Sequence, residues 1–252
     1  MTIAARRPAF PDAVHGCLFD MDGVLTSTAE LHAEAWKATF DEFLAHRDPH
    51  KGEDDAPFDI ASDYREYVDG RLREDGVRAF LASRHITLPD GSDDDPPGEE
   101  SVHALAGAKN VRLLRLIDER GVNVFPGSIE LVRATRAAGL RTAVVSASAN
   151  TTTVLDAADI AELFDVIVDG IAAARRHLLG KPSPDTYLAA ASDLKLSANA
   201  CAVFEDAVAG VQAGRAGGFA FVVGVNREGN RAELLDNGAT IVVDDLAELL
   251  AK

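Results

Sequence analysis

A chain of 252 residues, 47% hydrophobic and 26% charged, has room for one full core and a smaller second unit, which excludes disorder over its whole length. Its apolar runs fall short of the ~20 residues that a membrane-spanning helix needs. Against 25 Lys and Arg stand 41 Asp and Glu, a formal charge of −16. That balance repels polynucleotide phosphates and means that an anionic substrate needs a local cation cluster or a metal.

The first eight residues, Met1 to Pro8, hold no apolar stretch of signal-peptide length, so a cytoplasmic protein is expected. Val14–Phe19 is the first short apolar run, the pattern of a strand buried on both faces. From about Leu31 to Gly121 the pattern changes to amphipathic helices. Leu31, Ala35, Ala38 and Phe43 make one stripe; Val111, Leu114 and Ile117 make another. Two acidic polar tracts, 50–55 and 90–100, interrupt this stretch and read as solvated loops. The second lacks the alternating ligands and distant Glu of a calcium loop. Further strands are predicted at Arg141–Val145, Val166–Val168, Ala200–Phe204, Ala220–Val225 and Thr240–Val243. Helices are predicted at Glu130–Ala138, Thr151–Ala158, Pro184–Leu194, Ala207–Ala216 and Arg231–Asn237. Asn150-Thr151 can cap a helix start, Pro184 suits a first turn, and Gly139 and Gly238 suit helix ends. Alternating strands and helices predict an α/β fold with a doubly wound, mostly parallel sheet. Residues 1–30 and 122–252 would form that core, and residues 31–121 an inserted helical domain. Cys17 and Cys201 lie in strand-like runs and read as buried small hydrophobes.

The first strand runs into Asp20-Met21-Asp22-Gly23. Residues i and i+2 of an extended segment share a face, so both carboxylates can point into one space at a strand's carboxyl end. Their repulsion calls for a cation, and oxygen ligands suit Mg2+. Alone, such a pair would far more readily be a polar strand end, with one Asp capping a turn. Three further features fall at corresponding places. Ser146 follows the second strand and can bind a phosphate oxygen beside the next helix start. Lys181, in Gly180-Lys181-Pro182-Ser183-Pro184, can neutralise a transferred phosphoryl group. Glu205-Asp206 follows another strand, as a second acidic pair able to complete a metal site or to favour a helix N-terminus.

In this order, the motifs around Asp20, Ser146, Lys181 and Glu205-Asp206 resemble those of the haloacid dehalogenase superfamily of phosphotransferases, and the helical insertion resembles its α-helical cap. Thr26 to Lys37, Val145 to Asn150 and Lys181 to Asp185 are similar to the β-phosphoglucomutase family, as are Gly70 to Asp75 and Lys109-Asn110. The resemblance implies Asp20 as nucleophile and Asp22 as general acid and base. It implies Mg2+ bound by Asp20, the Asp22 carbonyl, Asp206 and Glu205, and phosphate held by Ser146, Ala147 and Lys181. Thr28, His32, Trp36, Gly70, Arg73, Lys109 and Asn150 would serve the substrate or the cap. Thr28 and His32 would position the Asp22 loop, Trp36 would pack between cap and core, and Arg73 and Lys109 would lie near the sugar phosphate. One departure is Asp69, where that family often has lysine. The expected enzyme is a monomer acting on β-glucose 1-phosphate and glucose 6-phosphate through a bisphosphate, with no nucleic-acid or membrane partner. The alternatives are a sugar-phosphate phosphatase and, in another class, a phospho-receiver without catalysis.

Overall fold

The computed structural model describes residues 8–48, 50–96, 98–227 and 229–251. In chain order the elements are β1 (Gly16–Phe19), α1 (Ala29–His46), a π-helical turn (Tyr64–Val68), α2 (Arg73–Ser83), α3 (Val102–Arg120), α4 (Pro126–Ala137) and β2 (Arg141–Val145). There follow α5 (Thr151–Ala157), β3 (Val166–Val168), α6 (Gly170–Arg175), α7 (Asp185–Asp193), β4 (Cys201–Glu205), α8 (Val208–Ala216), β5 (Phe221–Val225), α9 (Arg231–Asp236) and β6 (Ile241–Val243). The chain divides into two compact units, one of residues up to Ser27 and from Val122 onward, the other Thr28–Gly121.

The first unit holds a six-stranded sheet in the order β3-β2-β1-β4-β5-β6, parallel throughout. The predicted strands form with small shifts at their ends. Being parallel, they are covered on both faces, which is why each reads as an unbroken apolar run. On one face Leu18, Val203 and Val222 pack with Tyr187, Ala190, Ala191 and Leu194 of α7, Val211 of α8 and Leu234 of α9. Phe19 and Phe204 are register partners and stack at 4.4 Å between ring centroids. Gly16 pairs with Cys201 and Cys17 with Ala202, so the cysteines point to opposite faces of the sheet. Both thiols are buried and free, and burial pushes Cys201 up to about 11.

Pro184 begins the first turn of α7 in helical conformation, its carbonyl accepting from the Leu188 N–H at 2.9 Å. One helix start differs from expectation: Asn150 precedes α5 without capping it through its side chain. Helix α6 was not foreseen. It is six residues long and begins at Asp169, whose carboxylate accepts from the Ala172 N–H.

The second unit is helical. Its core stacks Trp36 on Phe40 at 5.1 Å and Phe40 on Phe80 at 3.9 Å, with Phe58, Val77, Leu81 and Leu105 around them. The predicted stripes are corrected here. On α1 the buried residues include Leu31, Ala35, Trp36, Thr39, Phe40 and Leu44, while Ala38 is exposed and Phe43 half-buried. Thr39 can occupy the stripe because its hydroxyl donates to the Ala35 carbonyl at 2.8 Å. On α3 the stripe runs through Leu105, Lys109, Leu113, Leu116 and Ile117. Val111, two residues and so about 200° beyond Lys109, is 68% exposed.

Candidate active site

Asp20, Ser146 and Glu205-Asp206 lie at the carboxyl ends of β1, β2 and β4, three neighbouring strands of the sheet. In an open α/β sheet this is where the strand order reverses and ligands bind. The ladder carries the first two into place: Asp20 N–H donates to the Phe204 carbonyl and Ser146 N–H to the Val168 carbonyl, each at 3.0 Å. Alternation along β4 puts Cys201, Val203 and Glu205 on the face covered by α7, and Asp206 on the other. The Lys181 ammonium then joins Asp20 to Glu205. It donates to Asp20 Oδ1 and lies 2.5 Å from Glu205 Oε1.

Asp20, Glu205 and Asp206 offer carboxylate oxygens within 4.8 Å of one another. Burial pushes the Asp20 carboxyl well above the usual carboxylate range; Lys181 opposes this, and Glu205 and Asp22 add to it. Asp22 is half-buried, and its Oδ1 accepts from the Thr26 hydroxyl at 3.4 Å. Two glycines leave room for the cluster. A Cβ at Gly23, which has φ +80°, would overlap the Asp206 carboxylate, and one at Gly210 would overlap that of Glu205. Oxygen donors clustered in this way fit a hard divalent cation.

The turn after β2 is tied by short bonds. Ser146 Oγ accepts from Ser148 N–H at 3.1 Å, and Ser148 Oγ from Asn150 N–H at 3.1 Å. Gly170 packs against the Ala147 carbonyl, where a side chain would collide. Two contributors were missed in the sequence. The Tyr187 hydroxyl donates to Glu205 Oε1 at 2.6 Å. Arg227 Nε donates to the Gly23 carbonyl at 2.6 Å, with its guanidinium 3.6 Å from the centre of the Phe125 ring. Tyr187 had a legible signal: it shares a helical stripe with Ala190, Ala191 and Leu194, and a buried phenol seeks a partner.

Within the helical unit, several of the other residues singled out also meet. Lys109, 4% exposed, donates through Nζ to His32 Nδ1 at 3.1 Å and lies 5.0 Å from the Trp36 ring centre. An ammonium only donates, so the His32 proton is on Nε2. Burial, then Lys109 and Arg73, hold this imidazole well below its ordinary value. Arg73 Nη1 donates to the Ala106 carbonyl at 3.4 Å. Trp36 is part of this unit's own core. Thr28 is buried at the start of α1 without capping it through its side chain, and Gly70 has φ +66° in the turn before α2.

The fold and its strand-end cluster define the class: a parallel α/β enzyme core with carboxylates and a lysine gathered where the sheet changes direction. A family model described as haloacid dehalogenase-like hydrolase matches residues 14–218, and the chain belongs to that family. A beta-phosphoglucomutase of Mycobacterium bovis is 51% identical over 251 residues, covering 98% of this chain and 96% of that protein. The crystal structure of beta-phosphoglucomutase from Clostridium difficile matches with a TM-score of 0.73 at 27% identity, covering 94% of this chain and 93% of that one. The protein CbbY from Rhodobacter sphaeroides, solved with xylulose-(1,5)bisphosphate, matches with a TM-score of 0.72 at 27% identity, covering 93% and 96%. The chain is thus a beta-phosphoglucomutase-like member of its family. Among the described residues, no helix is long and apolar enough to cross a membrane.

Proposed function

We propose that the protein is a Mg2+-dependent phosphomutase that interconverts β-glucose 1-phosphate and glucose 6-phosphate through an aspartyl phosphate on Asp20. The observation that carries this reading is the Asp20 carboxylate itself, at a strand end, bonded to Lys181 and grouped with Glu205 and Asp206. Its likeness to beta-phosphoglucomutase over nearly the whole chain supports the choice of reaction.

In the phospho-enzyme, Asp22 takes the proton of a sugar hydroxyl as that oxygen attacks the phosphorus on Asp20. The bond from phosphorus to Asp20 breaks, and a sugar bisphosphate forms. After the bisphosphate reverses, Asp20 attacks its other phosphate and Asp22 returns the proton to the departing oxygen. Lys181, the Ser146 hydroxyl and the Ala147 N–H hold the equatorial phosphate oxygens. Asp20, Glu205, Asp206 and the Asp22 carbonyl would hold Mg2+, which would supply the positive charge that screens carboxylate from phosphate. Arg73 and Lys109 are the cations assigned to the second phosphate, with Thr28, His32, Trp36, Gly70 and Asn150 as supporting residues. A second reading, hydrolysis of the aspartyl phosphate by water, is favoured by Asp69 in place of the lysine frequent in mutases.

Phosphorus NMR with β-glucose 1-phosphate, Mg2+ and a trace of the bisphosphate tests the choice. Glucose 6-phosphate as the main product supports the mutase; free phosphate overturns it in favour of the phosphatase.

A further inference from the structure

Tyr187 takes no part in the phosphoryl transfer, yet its side chain is 0% exposed and sits against the acidic cluster. Its hydroxyl donates to Glu205 Oε1 at 2.6 Å. Lys181 Nζ lies 2.5 Å from that same oxygen and 5.2 Å from the Tyr187 ring centre. Glu205 Oε1 therefore has two strong donors. Oε2 has a longer contact, 3.4 Å from the Ala207 N–H. Gly210 leaves room for the carboxylate in this position, since a Cβ there would collide with both of its oxygens. The phenol thus fixes one carboxylate oxygen, and its ring underlies the lysine that reaches Asp20.

We infer that Tyr187 is a positioning residue of the cation site, holding Glu205 by Oε1 so that Oε2 is the oxygen left for the metal, and steadying Lys181 against Asp20. Outer partners that orient a ligating carboxylate are commonly worth tenfold or more in metal affinity. The inference rests on the metal-dependent reading above, and the test separates the two.

Tyr187→Phe keeps the ring and its packing while removing the hydroxyl. Calorimetric titration with Mn2+ alone, without substrate, is the readout. Wild type is expected to bind one Mn2+ and Tyr187→Phe to bind it about tenfold more weakly. A purely structural tyrosine would lower the melting temperature in chelator and leave Mn2+ affinity unchanged; that result overturns the inference. If wild type itself binds no Mn2+, the metal-dependent reading falls, and this inference with it. A measurement that needs no substitution guards against misfolding. With the three tyrosines labelled as 3-fluorotyrosine, Mg2+ titration should shift the fluorine resonance of the buried ring and saturate together with cation binding. A buried resonance that stays fixed while the metal binds overturns the inference.

Discussion

Single atoms decide the chemistry of the acidic cluster. Three carboxylates offer oxygens within 4.8 Å of one another, an arrangement whose repulsion Lys181 only partly offsets and that is retained where charge must be handled. Asp20→Asn removes one of these charges and, under the proposed function, the attacking oxygen with it. Turnover is expected to fall by about 10^4-fold or more, while the melting temperature in chelator stays level or rises. Appreciable residual turnover would remove Asp20 as nucleophile. Gly210→Ala makes a different point. The residue lies in α8, where alanine is the better helix former by about 1 kcal/mol, yet the new methyl would enter the space of the Glu205 carboxylate. Activity is expected to drop roughly tenfold, in line with a displaced metal partner, and steady-state assays over a range of Mg2+ should show a raised metal requirement. Unchanged kinetics would mean that Glu205 has room to move without consequence.

Between elements, Asp165 links the start of β3 to β2 and α4. Its Oδ2 accepts from Thr142 N–H at 2.9 Å and lies 3.1 Å from Arg141 Nε, while Arg136 Nη1 is 3.6 Å from Oδ1. Burial raises this carboxyl, but the Thr142 hydrogen bond and the two arginines outweigh it and hold the group below its ordinary range. A depressed folded value means that the anion stabilises the fold. The contribution is complete above the unfolded value, about 4, and is lost as pH falls through the lower folded value. Asp165→Asn should therefore cost about 1 kcal/mol at pH 7, and its melting deficit should shrink below about pH 4. A deficit equal at pH 7 and pH 3 would rule out the charge as its source. The same scale explains what could be read beforehand. Parallel strands such as Cys201–Glu205 are legible because double-sided burial demands an apolar run, and Asp20, Lys181, Glu205 and Asp206, all named from the sequence, are brought together. Periodicity misplaced Ala38 and Val111 because Thr39 and Lys109 occupy buried positions that polarity argued against. Their partners, and those of Tyr187 and Arg227, come from other turns or other elements. Arg227 bonds a carbonyl 204 residues away, which no local pattern carries.

At the level of the whole chain, the two units have separate cores, one around the sheet and one around Trp36, Phe40 and Phe80. The carboxylates and Lys181 belong to the first unit, and the His32, Lys109 and Arg73 cluster to the second. Chemistry at phosphorus and recognition of a second phosphate are therefore separable by mutation under the proposed function. Phe40 is 0% exposed and stacks with both Trp36 and Phe80, so Phe40→Ala should cost about 3–5 kcal/mol. That loss should fall on the helical unit and appear in scanning calorimetry as an early transition split from that of the sheet unit. Arg73→Ala probes recognition more gently, since the side chain is 22% exposed. Both variants should retain most hydrolysis of a small aryl phosphate, which under the proposed function needs only Asp20, Asp22, Ser146, Ala147, Lys181 and the cation. Both should lose turnover of β-glucose 1-phosphate, by about tenfold or more for Arg73→Ala. If the aryl phosphatase and sugar-phosphate activities of Arg73→Ala fell by the same factor, the guanidinium would have no role in holding a second phosphate.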